Sequence, residues 1–85
     1  MATYSLEIRE HAERQMQRIP SNVLKRILPR LIALQSDPRP RGTRKLMGRE
    51  GWRIRVGEYR VIYEIDDQKK IVRVAAVVPR QSAYD

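Results

Sequence analysis

The sequence predicts a single α+β domain in which a helical hairpin packs on an antiparallel sheet, in the order β-α-α-β-β-β. Apolar residues alternate with polar ones near the amino terminus and after residue 43, but recur at helical spacing between residues 10 and 34. The helical segments precede a run of strands and do not alternate with it, which is typical of α+β domains. A chain of 85 residues fits one domain, residues 1–85.

The first part of the chain predicts one strand and two helices. Residues 4–8 alternate between apolar and polar, as in a half-buried strand. The helical spacing that follows ends at Pro20, and a second apolar stripe runs over residues 23–34. Pro29 lies inside that stripe, and we expect it to kink the second helix without dividing it. Because the connection is short, the two helices should be antiparallel.

The rest of the chain predicts strands. Residues 37–42 (DPRPRG) are typical of a solvated connector between a helix and a strand. The predicted strands after it are a short edge strand at residues 43–47 and three longer ones at 52–56, 59–66 and 70–78.

The segment WRIRVGEYRVIYEI, residues 52–65, predicts a β-hairpin with a defined register. Gly57 suits the first central position of a type II′ turn, which places Arg55 opposite Arg60. One face of the hairpin is then apolar and suited to receive the helices, and sliding by one residue would mix the two faces. The apolar face comprises Trp52, Ile54, Val56, Tyr59, Val61, Tyr63 and Ile65, and the other face Arg53, Arg55, Arg60, Ile62 and Glu64.

Positive charge is concentrated around this hairpin. The chain has a net charge of +8, and residues 37–60 contain eight basic and three acidic side chains. Arginines directly opposite each other destabilise a sheet, so their clustering indicates a site for an anion, which guanidinium groups bind with two hydrogen bonds at once. A two-residue turn at Asp67–Gln68 would bring Arg73 to the same face. A basic chain of this kind favours nucleic acid or an acidic protein as partner.

Several classes of protein are excluded. The chain has no cysteine, and therefore no disulfide framework, thiolate–zinc site or thiol nucleophile. We expect no metal and no cofactor. The longest apolar run, residues 74–78, is far shorter than a membrane helix requires, and the start of the chain lacks the profile of a signal peptide. We expect a cytoplasmic protein with no membrane partner.

The same residues resemble the RelE/ParE superfamily of bacterial type II toxins. KLMGREGWRIRVGEYRVIYEID, residues 45–66, is similar to the family pattern of Leu, Gly, aromatic, basic-x-basic, Gly, acidic, Tyr-Arg, x-x-Tyr. RQSAY, residues 80–84, resembles its closing Arg-x-x-x-Tyr, and the order of elements fits nearly the whole chain. The resemblance implies a microbial-ribonuclease-like fold and, for the RelE branch, ribosome-dependent cleavage of mRNA in the decoding site, with a cognate antitoxin as inhibitor.

The resemblance also implies roles for individual residues. Arg53, Arg55, Arg60, Arg80 and Tyr84 would form the catalytic site. Other basic residues would add attraction to RNA and the ribosome, and these are Arg39, Arg41, Arg44, Lys45 and Arg73.

Proton transfer is the weak point of this assignment. Family members often have Lys at the positions of Arg53 and Arg55 and His at that of Pro79, whereas arginine stays protonated and is a poor base. Tyr84 and Glu64, a possible general base, are the remaining candidates. A ParE-like toxin that inhibits DNA gyrase without nuclease activity, and a nucleic-acid-binding module without catalysis, are therefore alternatives. Either toxin would require a small, acidic antitoxin.

Overall fold

The elements that the sequence predicts are present, in the predicted order, in the computed structural model, which describes residues 3–80. Two helices follow the first strand, and four strands follow the helices, because the predicted short edge strand, which the order β-α-α-β-β-β does not count, is present beside the three longer ones. The elements are β1 (Ser5–Ile8), α1 (Glu10–Gln17), α2 (Ser21–Ala33), β2 (Arg44–Lys45), β3 (Trp52–Val56), β4 (Tyr59–Asp66) and β5 (Ile71–Pro79).

The five strands form one mixed sheet in the order β1-β5-β4-β3-β2, which agrees with the predicted antiparallel sheet in three of its four strand pairs. The pairs from β2 to β5 are antiparallel, but β1 runs parallel to β5, with Ser5 opposite Ile71 and Ile8 opposite Val74. Six connections separate β1 from β5. If the chain reverses its direction at each of them, the even number of reversals leaves β5 running in the same direction as β1. The α+β class itself is confirmed.

The hydrophobic core contains residues of both helices and of the three central strands. α1 packs against β5, and α2 packs against β3. Ala12 and Ile27 are fully buried, as are Val61 and Val74 in the sheet. The helix α2 continues through Pro29, whose side chain is exposed to solvent, so the prediction of one undivided helix is confirmed.

The β3–β4 hairpin has the predicted register. Val56 lies opposite Tyr59, Arg55 opposite Arg60, and Trp52 opposite Tyr63. Gly57 has a φ of 59°, the positive value that the first central position of a type II′ turn requires. Alternation on both sides of a two-residue turn was therefore sufficient to fix this part of the sheet.

The β4–β5 hairpin differs from the prediction. Its connection has four residues, 67–70, and not the two predicted at Asp67–Gln68. The Asp66 carboxylate accepts a hydrogen bond from the Lys69 backbone N–H at 2.9 Å, which stabilises the wider turn. The register is displaced by two residues, so Arg73 keeps the predicted face but lies opposite Glu64.

A β-bulge in β5 sets the phase of that strand. The register shifts between Ile62 and Tyr63, which lie opposite Ala76 and Val74. The additional residue allows Val74 and Val77, three positions apart, both to be buried in the core. Beyond the end of β1, the Val77 N–H donates a hydrogen bond of 2.8 Å to the side-chain oxygen of Gln15 on α1.

Candidate nucleic-acid interface

Four arginines lie on one face of three adjacent strands, and we call them the arginine row: Arg44, Arg53, Arg55 and Arg60. Arg44 on β2 is directly opposite Arg53 on β3, and Arg55 on β3 is directly opposite Arg60 on β4. Arg53 and Arg55 share a face because they are two residues apart in one strand. The sheet thus holds two cross-strand pairs of like charge side by side, an arrangement that a bound anion would stabilise.

Members of the arginine row differ in exposure. Arg55 and Arg44 are exposed and Arg53 is half-buried, but only 5% of Arg60 is accessible. Arg60 is therefore the one buried member of the row. The strand β4 is central in the sheet, so Arg60 is flanked by Arg55 on one side and Val78 on the other.

Arg80 lies at the same end of the sheet as Arg55 and Arg60. It follows β5 directly, and its backbone N–H donates a hydrogen bond of 2.8 Å to the carbonyl of Glu58 in the β3–β4 turn. The side chain of Arg80 is exposed. Tyr84, the other carboxy-terminal candidate, lies outside the described residues.

Arg73 and Glu64 belong to an ion-pair network at the opposite end of that face. The Arg73 Nε donates to Glu7 at 3.0 Å, and its Nη1 lies 3.8 Å from Glu64. The same Glu64 oxygen accepts a hydrogen bond of 3.0 Å from Arg9. Two cations and two carboxylates balance here, so the excess positive charge lies toward the β3–β4 turn.

Arg39 and Lys45 lie against Trp52. The guanidinium of Arg39 is 5.0 Å from the centre of the indole ring, and the Lys45 ammonium is 5.6 Å from it. Arg39 also pairs with Asp67 at 2.8 Å, and the Tyr4 hydroxyl donates to the same carboxylate at 2.6 Å. These two donors, Arg39 first, lower the pKa of Asp67 to about 2.

The connector between α2 and β2 is held by a buried hydrogen bond. The Tyr63 hydroxyl donates to the Pro38 carbonyl at 2.7 Å, and burial raises the pKa of Tyr63. This anchor keeps the following residues of the connector beside the sheet. Arg41 in the connector and Arg44 on β2 line a groove with Arg53 and Arg55.

One lining residue of this groove, Arg30 on α2, was not among the sequence candidates. The helix carries Lys25, Arg26 and Arg30, and periodicity places all three off its apolar stripe without indicating which one approaches the sheet. Only the packing of α2 against β3 selects Arg30.

Nothing in the described part of the chain, residues 3–80, indicates a metal centre or a membrane span. No three His, Asp or Glu side chains there are grouped in a way that could hold a metal ion. Neither α1 nor α2 is long and apolar enough to cross a bilayer.

A family model describes the same chain. Residues 6–84 match the ParE toxin of type II toxin–antitoxin systems, parDE, and so include nearly all of the elements described above. The chain belongs to this toxin family. Among curated protein sequences, none matches it.

Solved structures place this toxin beside RelE proteins. The archaeal RelE–RelB complex of Pyrococcus horikoshii contains a chain that is 30% identical, with a TM-score of 0.83, covering 95% of this chain and 99% of that one. The RelBE2 complex of Mycobacterium tuberculosis contains one that is 27% identical, with a TM-score of 0.80 and coverages of 92% and 99%. The RelBE complex of E. coli contains a chain that is 26% identical, with a TM-score of 0.79, covering 96% of this chain and 99% of that one. The predicted RelE-like fold and membership of the RelE/ParE superfamily are confirmed.

Proposed function

We propose that this toxin is a ribosome-dependent endoribonuclease that cleaves mRNA in the decoding site and so inhibits translation in the cytoplasm. The observation that carries the proposal is the arginine row, in which Arg55 lies directly opposite Arg60 and Arg53 directly opposite Arg44. The likeness to RelE structures at 26–30% identity supports it.

The arginines suit one part of the chemistry. Attack of a ribose 2′-OH on the adjacent phosphate builds negative charge on a phosphorane, which fixed cations stabilise more strongly than they stabilise the substrate. Arg55 and Arg53 are accessible to that phosphate, and Arg80 is positioned at the same end of the sheet by its bond to Glu58. The buried charge of Arg60 would act from below the surface, where the lower dielectric strengthens its field.

Tyr84, and Glu64 as a possible general base, are the candidates for proton transfer. The reaction needs a base for the 2′-OH and an acid for the departing 5′-oxygen. Glu64 is four residues from Arg60 along β4, about 13 Å at the rise of a strand, and Arg9 and Arg73 bind its carboxylate. We therefore expect Glu64→Gln to lower cleavage less than Arg55→Gln does.

We further propose a small, acidic antitoxin as the inhibitor of this chain. RelE relatives were solved in complex with RelB antitoxins, and this chain has a net charge of +8. An acidic segment would neutralise the arginine row, and the half-buried Ile62 on that face offers an apolar contact. Arg39, Arg41, Arg44, Lys45 and Arg73 would instead contribute to binding of RNA and the ribosome, although Arg39 and Arg73 also have carboxylate partners within the chain.

The proposal is tested by brief induction of the toxin followed by primer extension on cellular mRNA. Wild type should produce cuts within codons of translated messages, and Arg55→Gln should reduce cutting by at least about tenfold, the effect of losing one charge-stabilising contact in a transition state. Arg18→Gln, an exposed arginine at the end of α1, is the matched control and should cut normally. Transcripts that remain intact while growth stops would exclude the nuclease.

Gyrase inhibition is the second candidate, because the matching family model is that of ParE and because arginines replace the lysines common in RelE relatives. Purified toxin would then inhibit DNA supercoiling with mRNA untouched. That result, with Arg55→Gln as active as wild type, would replace the first candidate by the second.

A further inference from the structure

The groove beside the arginine row is lined by arginines from four different segments. Its volume is about 550 Å³, and its charged residues are all basic. Among residues 3–80 no acidic side chain lines it, in contrast to the ion-pair network at the other end of the sheet. Its lining residues are Arg30, Arg41, Gly42, Arg44, Arg53, Ile54 and Arg55.

The shortness of β2 creates this groove. β2 has two residues and pairs only with Trp52 and Arg53, so the rest of β3 has no neighbouring strand on that side within residues 3–80. The connector passes the open edge at Gly42, where φ is 94° and a Cβ would meet no atom within 4 Å. On the other side, α2 contributes Arg30. The groove therefore runs from the arginine row around the edge of β3 toward the helices.

Three arginines at this edge, Arg30, Arg41 and Arg44, have no carboxylate partner among residues 3–80. All three side chains are exposed. By contrast, Arg39 and Arg73, also basic and near the sheet, each have a carboxylate partner at 3.0 Å or less. Three guanidinium groups that line one groove, without a carboxylate partner in the described part of the chain, favour an external anion.

The lining favours a phosphate backbone over an acidic protein segment. Protein interfaces depend on buried aromatic or aliphatic anchors, but the only apolar side chain that the described residues contribute to this groove is Ile54, whose accessible fraction is 1%. Guanidinium groups bind phosphates with two parallel hydrogen bonds and need no apolar pocket.

We propose that this groove is a second RNA-backbone site, in which Arg30 and Arg41 bind phosphates of the substrate strand beyond the one held by the arginine row. This inference rests on the proposed function. Arg53 and Arg55 line both surfaces, so one continuous strand can pass from the cleaved phosphate around the edge of β3. The groove then sets the length of RNA that the toxin binds, whereas the row holds the reacting phosphate.

Binding of oligonucleotides of two lengths tests the inference. The probes are fluorescent 2′-O-methyl RNAs of three and nine nucleotides, which lack the attacking hydroxyl, and the protein is the full chain. Arg30→Gln and Arg41→Gln should each weaken binding of the longer probe about tenfold, the loss expected for one charge-assisted hydrogen bond. The slope of log affinity against log salt should fall by about 0.7 for each phosphate that the variant no longer neutralises. The shorter probe should bind these variants as it binds wild type.

Arg18→Gln is the control for general charge, and it should bind both probes normally. The melting temperature shows whether each variant is folded. Arg30→Lys tests direct binding, because Lys restores the charge but not the two-bond geometry. The inference is overturned if Arg30→Gln and Arg41→Gln weaken binding of both probe lengths equally, or of neither. It is also overturned if these variants weaken poly-glutamate binding as much as RNA binding, since the occupant would then be an acidic protein. If they weaken ribosome binding alone, the occupant would be ribosomal RNA, which overturns the inference as well.

Failure of this inference is distinguishable from failure of the proposed nuclease. If the wild-type protein binds the longer probe more tightly but leaves ribosome-bound mRNA intact, the groove inference is supported and the nuclease activity is excluded. Normal cleavage and normal nine-nucleotide binding by Arg30→Gln would retain the nuclease and remove the groove.

Discussion

Asp67 joins three segments that are far apart in the chain. Its carboxylate in the β4–β5 turn binds Tyr4, just before β1, and Arg39 in the connector, which also lies over Trp52. The folded pKa of about 2 lies below the ordinary 3.8. The contribution of this carboxylate to stability is therefore complete above pH 3.8 and is lost as the pH falls through about 2.

Substitution of its partners should raise the pKa of Asp67 toward 3.8. Arg39→Gln removes the larger cause and should raise it more than Tyr4→Phe does, as measured by NMR titration of the Asp67 carboxyl carbon. If neither variant moved the titration, the three-residue cluster would not form in solution.

Gly51 occupies a position where any side chain would be strained and closely packed. Its φ is 125°, and a Cβ there would lie 3.0 Å from a methyl carbon of Leu46 and 3.2 Å from the carbonyl oxygen of Tyr63. Gly51→Ala should therefore cost about 1–3 kcal/mol of unfolding free energy in a denaturant titration. Gly48→Ala is the matched control, because its φ is 73° but a Cβ would have no atom within 4 Å. Equal losses would show that the close approach to Tyr63 is unimportant.

For single residues, the sequence predicted which face of a strand a side chain lies on better than it predicted how exposed that side chain is. Strict alternation placed Arg53, Arg55 and Arg60 on one face, and the pairing confirms it. The burial of Arg60 depends on β4 being central, and the approach of Arg30 depends on how α2 packs. Both follow from contacts between segments, which periodicity within one segment does not contain.

Among the elements, β5 depends most on its neighbours. Its bulge places Val77 in the core, and the Val77 N–H, beyond the end of β1, is satisfied by Gln15 of α1. Gln15→Ala should cost about 1–3 kcal/mol, the penalty for leaving a part-buried donor unsatisfied. Gln17→Ala, exposed on the same helix, should change stability little. Hydrogen exchange at the Val77 amide should accelerate in the first variant alone; unchanged exchange would contradict the role of Gln15.

The two long hairpins show which elements a sequence specifies. For β3–β4, a glycine-containing turn of two residues and alternation on both sides agree on one register. For β4–β5, the polar residues Asp66 to Lys70 allow turns of several lengths, and the run Val74–Val78 has no alternation. The turn and the bulge are decided by which valines the helices can cover, a property of the assembled core.

Across the whole molecule, positive charge is segregated toward one side. Balanced ion pairs of Glu7, Arg9, Glu64 and Arg73 occupy one end of the sheet, and the arginine row and the groove occupy the other. The sequence already indicated this concentration, since residues 37–60 contain most of the excess charge. The groove was not predictable, because it exists only where β2 stops pairing with β3 beside α2.

The parallel pairing of β1 with β5 has a consequence for synthesis. The ribosome makes β1 first and β5 after every other described element, and β5 is the strand that separates β1 from β4. Until β5 has emerged from the ribosome, β1 has no strand to pair with and α1 lacks the strand that it covers. β4 is then an exposed edge strand of the sheet. A chain that ends before β5 cannot complete this sheet, and we expect such a fragment to be unfolded and inactive. Under the proposed function, cleavage of the toxin's own message before the β5 codons would therefore not release a shortened active toxin.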